Sequence, residues 1–231
     1  MPKTKIIFCC SPNNPTGNLL NPSDIKKLCA SFKGIVVVDE AYIEFAGKPS
    51  ILRQIRFPKN LVVLRTFSKA WGLAGARIGY AVMDPAVVEY LNKIKPPYNL
   101  SSVSAYLAQK ALGEQAQFLR WRREILKERQ KIAKKLLALG FEVFPSESNF
   151  VLARKAGAAK FVKKLAKKSG IIIRDVSTKP RLANCVRITV GTPEQNDRLL
   201  DALSALSPLR KQGSASIDSR VRGNDRKGAS I

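Results

Sequence analysis

Histidine is missing altogether from the 231 residues. No imidazole base, proton shuttle or histidine-ligated zinc can operate, so any chemistry must move protons through lysine, a carboxylate, tyrosine or a bound cofactor. Cysteine is scarce. Cys9, Cys10, Cys29 and Cys185 form no C-x-x-C pair, which leaves neither a zinc site nor a disulfide framework. Cys9 and Cys10 fall in an apolar run, where a reduced, buried thiol is the usual occupant, and a reducing, cytoplasmic setting fits them. Long hydrophobic runs are also lacking. The opening MPKTKIIFCC has an apolar stretch too short for a signal peptide, and no later run could span a membrane. Gly72, Gly75 and Gly79 do not make a G-x-G-x-x-G, and no Walker A sequence occurs.

Negative charge is the other shortage: 17 Asp and Glu stand against 41 Lys and Arg, a formal net charge of +24. Such a balance raises the reading of a basic nucleic-acid binder. The segment 208–231 has six cations and two carboxylates, so most of the excess lies in the body, spread over helix-like segments without an Arg/aromatic strip. A diffuse excess keeps a chain soluble and attracts anions weakly.

Four short apolar runs predict strands: KIIFCC (5–10), GIVVVDE (34–40), LVVLRTF (61–67) and RIGYAVM (77–83). The first three are continuous rather than alternating, the pattern of a parallel sheet covered on both faces. Between the first two, Asn21 and Pro22 suit a helix start, Ile25, Leu28, Cys29 and Phe32 form one apolar face, and Gly34 suits the stop. Strand, helix, strand implies an α/β sheet. A helical stretch over about 101–139 breaks near Gly113. Its Phe118, Trp121, Ile125, Ile132, Leu136 and Leu139 share a face, with Arg122 and its basic neighbours solvated. Segments 141–155, 170–176 and 184–191 predict the strands of a smaller α+β unit. In the helix between the first two, Phe161, Val162, Leu165 and Ala166 face inward. A capping box, Thr192 with Gln195, opens the last helix. Beyond 207 the polar, basic, Gly/Ser-rich sequence reads as a disordered tail.

Ligands of open α/β sheets collect beyond the carboxyl ends of the strands. SPNNPTG presents Asn14 after the first strand, Asp39 and Tyr42 follow the second, and TFSK places Thr66, Ser68 and Lys69 after the third, with Arg77 beyond. Singly, each has a structural explanation: a surface lysine, a turn-forming aspartate, a packed tyrosine. Together and in this order they fit pyridoxal 5′-phosphate, which needs an amine, a carboxylate for its ring nitrogen, donors for its phenolic oxygen, and hydroxyls and a cation for its phosphate. Lys69 supplies the first and Asp39 the second. Tyr42 and Asn14 supply the third, and Ser68, Thr66 and Arg77 the last.

SPNNPTG, VVVDEAYIEF, RTFSKAWGLAGARIGYAV and CVRITVGT resemble the class I/II aminotransferases of fold type I, over about residues 4–206. The likeness is greatest to the branch acting on histidinol phosphate. It implies the fold-type-I pyridoxal-phosphate-dependent transferase fold. Residues 1–100 would be the remainder of a large-domain sheet, 101–139 long connecting helices, and 140–207 a smaller α+β C-terminal domain. It implies that Lys69 is catalytic, carrying the cofactor and then moving the substrate Cα proton. It also implies that Arg174 and Arg187 bind substrate anions, with Asn149 and Tyr98 nearby. An amino donor and a 2-oxo acid would be the substrates, and the complete enzyme a homodimer. Members of the family carry a further N-terminal portion before the strand leading into SPNNPTG. Its absence here implies a truncated chain with an unpaired sheet edge. Three alternatives stand beside this reading: a threonine-phosphate decarboxylase-like enzyme of the same fold, an inactive fragment, and the basic nucleic-acid binder.

Overall fold

The computed structural model describes residues 3–54 and 56–206, so the tail expected beyond 207 lies outside the described residues. The first sheet has the order β1 (Ile6–Cys10), β2 (Ile35–Asp39), β3 (Leu61–Thr66), β4 (Gly79–Met83). The first three strands are parallel, in a register that pairs Cys10 with Asp39 and Asp39 with Leu64. β4 runs antiparallel to β3, with Gly79 opposite Thr66.

The helix between β1 and β2 is α1 (Pro22–Ser31). Asn21 caps it as expected, its side chain accepting the Ser23 N–H with Pro22 in the first turn. Ile25 and Cys29 pack on Val36, Val38, Leu61 and Val63, with Leu28 and Phe32 at the margin. Gly34 does not end this helix, because Phe32 is its C-cap. Glycine is needed there for another reason: a Cβ would sit 2.2 Å from the Lys5 carbonyl oxygen.

β2 and β3 are buried, as continuous apolar runs should be, but β1 is not covered on both faces. It pairs only with β2 among the described residues, and Phe8 is 71% exposed. Cys9 and Cys10 are therefore half-buried rather than enclosed, although burial still raises both thiols above their ordinary pKa.

Three helices follow: α2 (Pro85–Ile94), α3 (Ser102–Gly113) and α4 (Gln115–Ala138). Neither α2 nor α3 contains a fully buried residue. α4 buries Ile132 and Leu136 beneath the second sheet, whose order is β5 (Glu142–Val143), β6 (Phe150–Arg154), β8 (Cys185–Thr189), β7 (Arg174–Asp175), every pair antiparallel. Two expectations for α4 are corrected. Trp121 is 51% exposed, lining an open groove with Trp71 and Phe118 rather than packing inside. Arg122 is half-buried rather than solvated, donating through Nε to the Glu44 carbonyl and through Nη2 to that of Ala46 at 3.0 Å.

α5 (Ala158–Ser169) and α6 (Pro193–Leu206) complete the second unit. Leu165 is fully buried with Phe161 and Val162 against the core, but Ala166 is exposed: the helix meets the sheet along a narrower stripe than its apolar residues suggest. The capping box is present, Thr192 N–H donating to Gln195 Oε1 at 3.0 Å and Gln195 N–H to Thr192 Oγ1 at 3.3 Å. Among the described residues no helix is long and apolar enough to cross a membrane.

Candidate functional site

The exits of β1, β2 and β3 lie side by side because the strands are parallel and in register. After β1 the chain is tied to β2 by Ser11 N–H to Asp39 O at 2.9 Å. It then turns through Asn13–Gly17, closed by Gly17 N–H to Asn13 O at 2.7 Å and Asn13 Nδ2 to Thr16 Oγ1 at 2.7 Å. The peptides before Pro12 and Pro15 are cis. Gly17 has a φ of +78°, and a Cβ there would lie 2.6 Å from Ser146 Oγ, so only glycine fits. This turn leaves Asn14 exposed at its tip.

At the end of β2, Asp39 Oδ1 accepts the Ala41 N–H at 3.0 Å and sets the turn into Tyr42. The Tyr42 ring is buried edge-on against Phe150, with centroids 5.3 Å apart. Lys69, just beyond β3, holds its Nζ 5.5 Å from the centroid of that same tyrosine ring, within cation–π range, while the lysine itself remains exposed. The Thr66 hydroxyl is engaged by main chain, donating to Ile78 O at 3.3 Å and accepting the Ser68 N–H at 3.1 Å. Arg77 adopts a left-handed φ of 54° and donates to Ala74 O at 2.9 Å. It lines a separate groove of about 260 Å³ with Asn99, Ser101 and Ser104.

The second sheet contributes Arg187. Its strand neighbours Val186 and Ile188 are buried in the apolar cluster, and the arginine points the other way, as alternation requires. Its guanidinium carbon lies 5.2 Å from the Phe150 ring centroid, and Nη1 donates to Asn14 Oδ1 at 2.7 Å. Among the described residues its buried Nε has no hydrogen-bond partner. Arg174 stands opposite Arg187 in the β7–β8 register, and both line a cavity of about 690 Å³ with Thr189, Gly191 and Asn196. Like charges across a strand pair oppose folding unless an anion lies between them. The Asn149 carbonyl accepts the Val190 N–H at 2.9 Å. Tyr98, 98% exposed, is not gathered into this group.

Phe150, which packs on both Tyr42 and Arg187, escaped the sequence reading, as did a buried ion cluster beside the β2 exit. Arg65 on β3 bonds Glu40 at 3.2 Å and Glu44 at 2.8 Å. Glu40 also accepts the Ser50 hydroxyl at 2.6 Å and the Ile51 N–H at 2.8 Å. Burial lowers the Arg65 pKa, but the Glu44 hydrogen bond and the charges of Glu44, Tyr80 and Glu40 outweigh it, leaving the group above its ordinary value. The signal in the sequence was an arginine inside an otherwise apolar strand, with Glu40 and Glu44 flanking Asp39 and Tyr42.

The family model described as "Aminotransferase class I and II" matches residues 1–203. The histidinol-phosphate aminotransferase of Parabacteroides distasonis is 44% identical over 202 residues, which are 87% of this chain and 58% of that protein. Among solved structures, histidinol-phosphate aminotransferase from Sinorhizobium meliloti in complex with pyridoxal-5′-phosphate superposes with a TM-score of 0.79 at 28% identity, covering 87% of this chain and 58% of that one. L-threonine-O-3-phosphate decarboxylase from Porphyromonas gingivalis gives 0.77 at 31% identity, covering 87% and 64%. The chain thus spans less than two thirds of the length of these relatives.

Proposed function

This chain belongs to the aminotransferase class I and II family, and on that premise we propose that it carries the lysine-bearing face of a pyridoxal 5′-phosphate site that transfers the amino group of histidinol phosphate to 2-oxoglutarate. The observation that carries the reading is the placement of Lys69 Nζ over the buried Tyr42 ring, beside the Asp39 strand end. An amine, a phenol and a carboxylate belong to adjacent strand exits there, and they are the donor set this cofactor requires. When bound, pyridoxal phosphate supplies an electron sink for charge developing at the substrate Cα.

The chain's own groups divide the remaining work. Asp39 would keep a proton on the ring nitrogen, while Tyr42 and Asn14 would donate to the phenolic oxygen. The Ser68 hydroxyl would hold the phosphate, with Arg77 as its cation once released from the Ala74 carbonyl, and Thr66 braces that turn by accepting the Ser68 N–H. Lys69 would supply the amine that anchors the cofactor, and its Nζ would take and return the substrate Cα proton, the task for which no histidine is present. Arg187 and Arg174, paired across β7 and β8, suit a substrate with anionic groups, and the buried Nε of Arg187, unpartnered among the described residues, would be a donor for one of them.

The test is covalent capture. Purified chain is incubated with pyridoxal phosphate, reduced with borohydride and mapped by mass spectrometry. Label is expected on Lys69 and is expected to vanish in Lys69→Ala. Label scattered over surface lysines, with none at Lys69, defeats the proposal. The likeness to a threonine-phosphate decarboxylase supports a second reading with the same cofactor residues; glutamate formed from histidinol phosphate, against carbon dioxide released from threonine phosphate, separates the two.

A further inference from the structure

α4 carries two arginines that reach main-chain carbonyls far from it in sequence. Arg122 bonds the carbonyls of Glu44 and Ala46. Arg129, two turns on, uses a single nitrogen, Nη1, for two carbonyls: Phe45 O at 3.3 Å and Ser148 O at 2.8 Å. Phe45 ends the short 3₁₀ turn that begins just after Tyr42. Ser148 lies two residues before Phe150, whose ring packs on both Tyr42 and Arg187. Glu147 adds to the junction, taking the Gly47 N–H at 2.8 Å on its carboxylate and donating its own N–H to Gly17 O at 2.8 Å. The carbonyls at the end of a 3₁₀ turn have no partner within it, so the guanidinium replaces bonds the turn itself cannot make. Burial lowers the Arg129 pKa, the charge of Glu147 opposing the shift and that of Arg122 adding to it.

We infer that Arg129 is a positioning residue: it fastens the turn following Tyr42 to the segment entering β6, so that the Tyr42 phenol and the Arg187 guanidinium keep one spacing. Its bearing on cofactor and substrate rests on the pyridoxal-phosphate reading above. The mechanical coupling does not. Neither carbonyl can be bonded by a side chain that stops short of the junction, and Arg122, which bonds only the Tyr42 side, is the internal control.

Amide hydrogen exchange of the cofactor-free chain tests the coupling. In Arg129→Met, Ala46 and Gly47 on one side and Glu147 and Ser148 on the other are expected to exchange together, faster by roughly tenfold or more, while α1 is unchanged. Arg122→Met is expected to accelerate only the first pair. Acceleration on one side only in Arg129→Met, or an equal rise in α1, overturns the inference. Where Arg129→Met does not fold, Arg129→Lys decides: its shorter reach weakens both bonds, so both pairs accelerate by a smaller factor, and a change in one or neither overturns it. Titration with pyridoxal phosphate, followed by quenching of tryptophan fluorescence, tests the consequence. Arg129→Met is expected to bind roughly tenfold more weakly; unchanged affinity in a loosened variant removes the positioning role. A wild-type chain that binds no cofactor ends the pyridoxal-phosphate reading alone, since the exchange pattern still decides whether Arg129 joins the two segments.

Discussion

The two sheets are stabilised in different ways. The second is closed around one apolar cluster drawn from α4, β6, α5, β8 and α6, in which Ile132, Leu136, Ala153, Ala158 and Leu165 are all 0% exposed. The first buries β2 and β3 against α1, but its outer strands expose Ile6, Phe8, Tyr80 and Val82, and α2 and α3 bury nothing completely. Its exit edge is instead cemented by polar bonds, with Glu40 and Glu44 both on Arg65. The candidate chemistry lies at this second kind of edge. An apolar core fixes strands but cannot aim a carboxylate or an amine, whereas hydrogen-bonded turns at strand exits can.

The sharpest break of this comparison is Glu40→Ala. Glu40 is 2% exposed and accepts from Arg65 Nη1, the Ser50 hydroxyl and the Ile51 N–H together. Removing it leaves an arginine short of charge and a buried N–H unpaired, a loss of about 3–5 kcal/mol. Denaturant unfolding of variant and wild type checks it, and a cost below about 1 kcal/mol shows that Glu44 alone holds Arg65.

Next in size is a pair of apolar substitutions, one in each region. Leu136→Ala empties a fully enclosed position of the second core and is expected to cost about 2–5 kcal/mol. Ile94→Ser, at a residue of α2 that is 78% exposed, is expected to change stability by no more than about 0.5 kcal/mol. Equal costs for the two, read from the midpoints of denaturant unfolding, would remove the contrast between an enclosed and an open region.

What the sequence made legible was local. Asn21 with Pro22, Thr192 with Gln195, and the continuous runs of β2 and β3 are signals within a few residues of their effects, and the structure bears them out. The order Asn14, Asp39, Tyr42, Lys69 was legible because parallel strands deliver successive exits to one edge. Periodicity, in contrast, assigns a helix a face without showing what lies opposite, which is why Trp121 and Ala166 were placed inside. Gly34 was given to the helix end because the approach of Lys5 is a contact between strands. Phe150 and Arg129 went unseen, and Arg122 was read as solvated, for the same reason: the bonds of the two arginines span 19 to 84 residues of sequence, and the bond from Arg187 to Asn14 spans 173.

The smallest effect concerns acid stability at the edge of the second sheet. Asp175 ends β7, and its Oδ1 accepts the Ser177 N–H at 2.8 Å. Hydrogen bonds from the Ser177 side chain and backbone lower its pKa below the ordinary 3.8, against the opposing effect of burial and aided by the charge of Lys163. The folded state therefore holds this proton less tightly than the unfolded chain does. The resulting stability is fully present above the ordinary value and is lost as the pH falls through the lowered one. Asp175→Asn, which cannot ionise, is expected to be slightly less stable than wild type at neutral pH, with the gap closing below about pH 4. Thermal unfolding across that range is the measurement. A gap that persists undiminished in acid would assign the effect of Asp175 to the shape of its turn, and the charge on this edge would then contribute nothing that the apolar core beneath it does not.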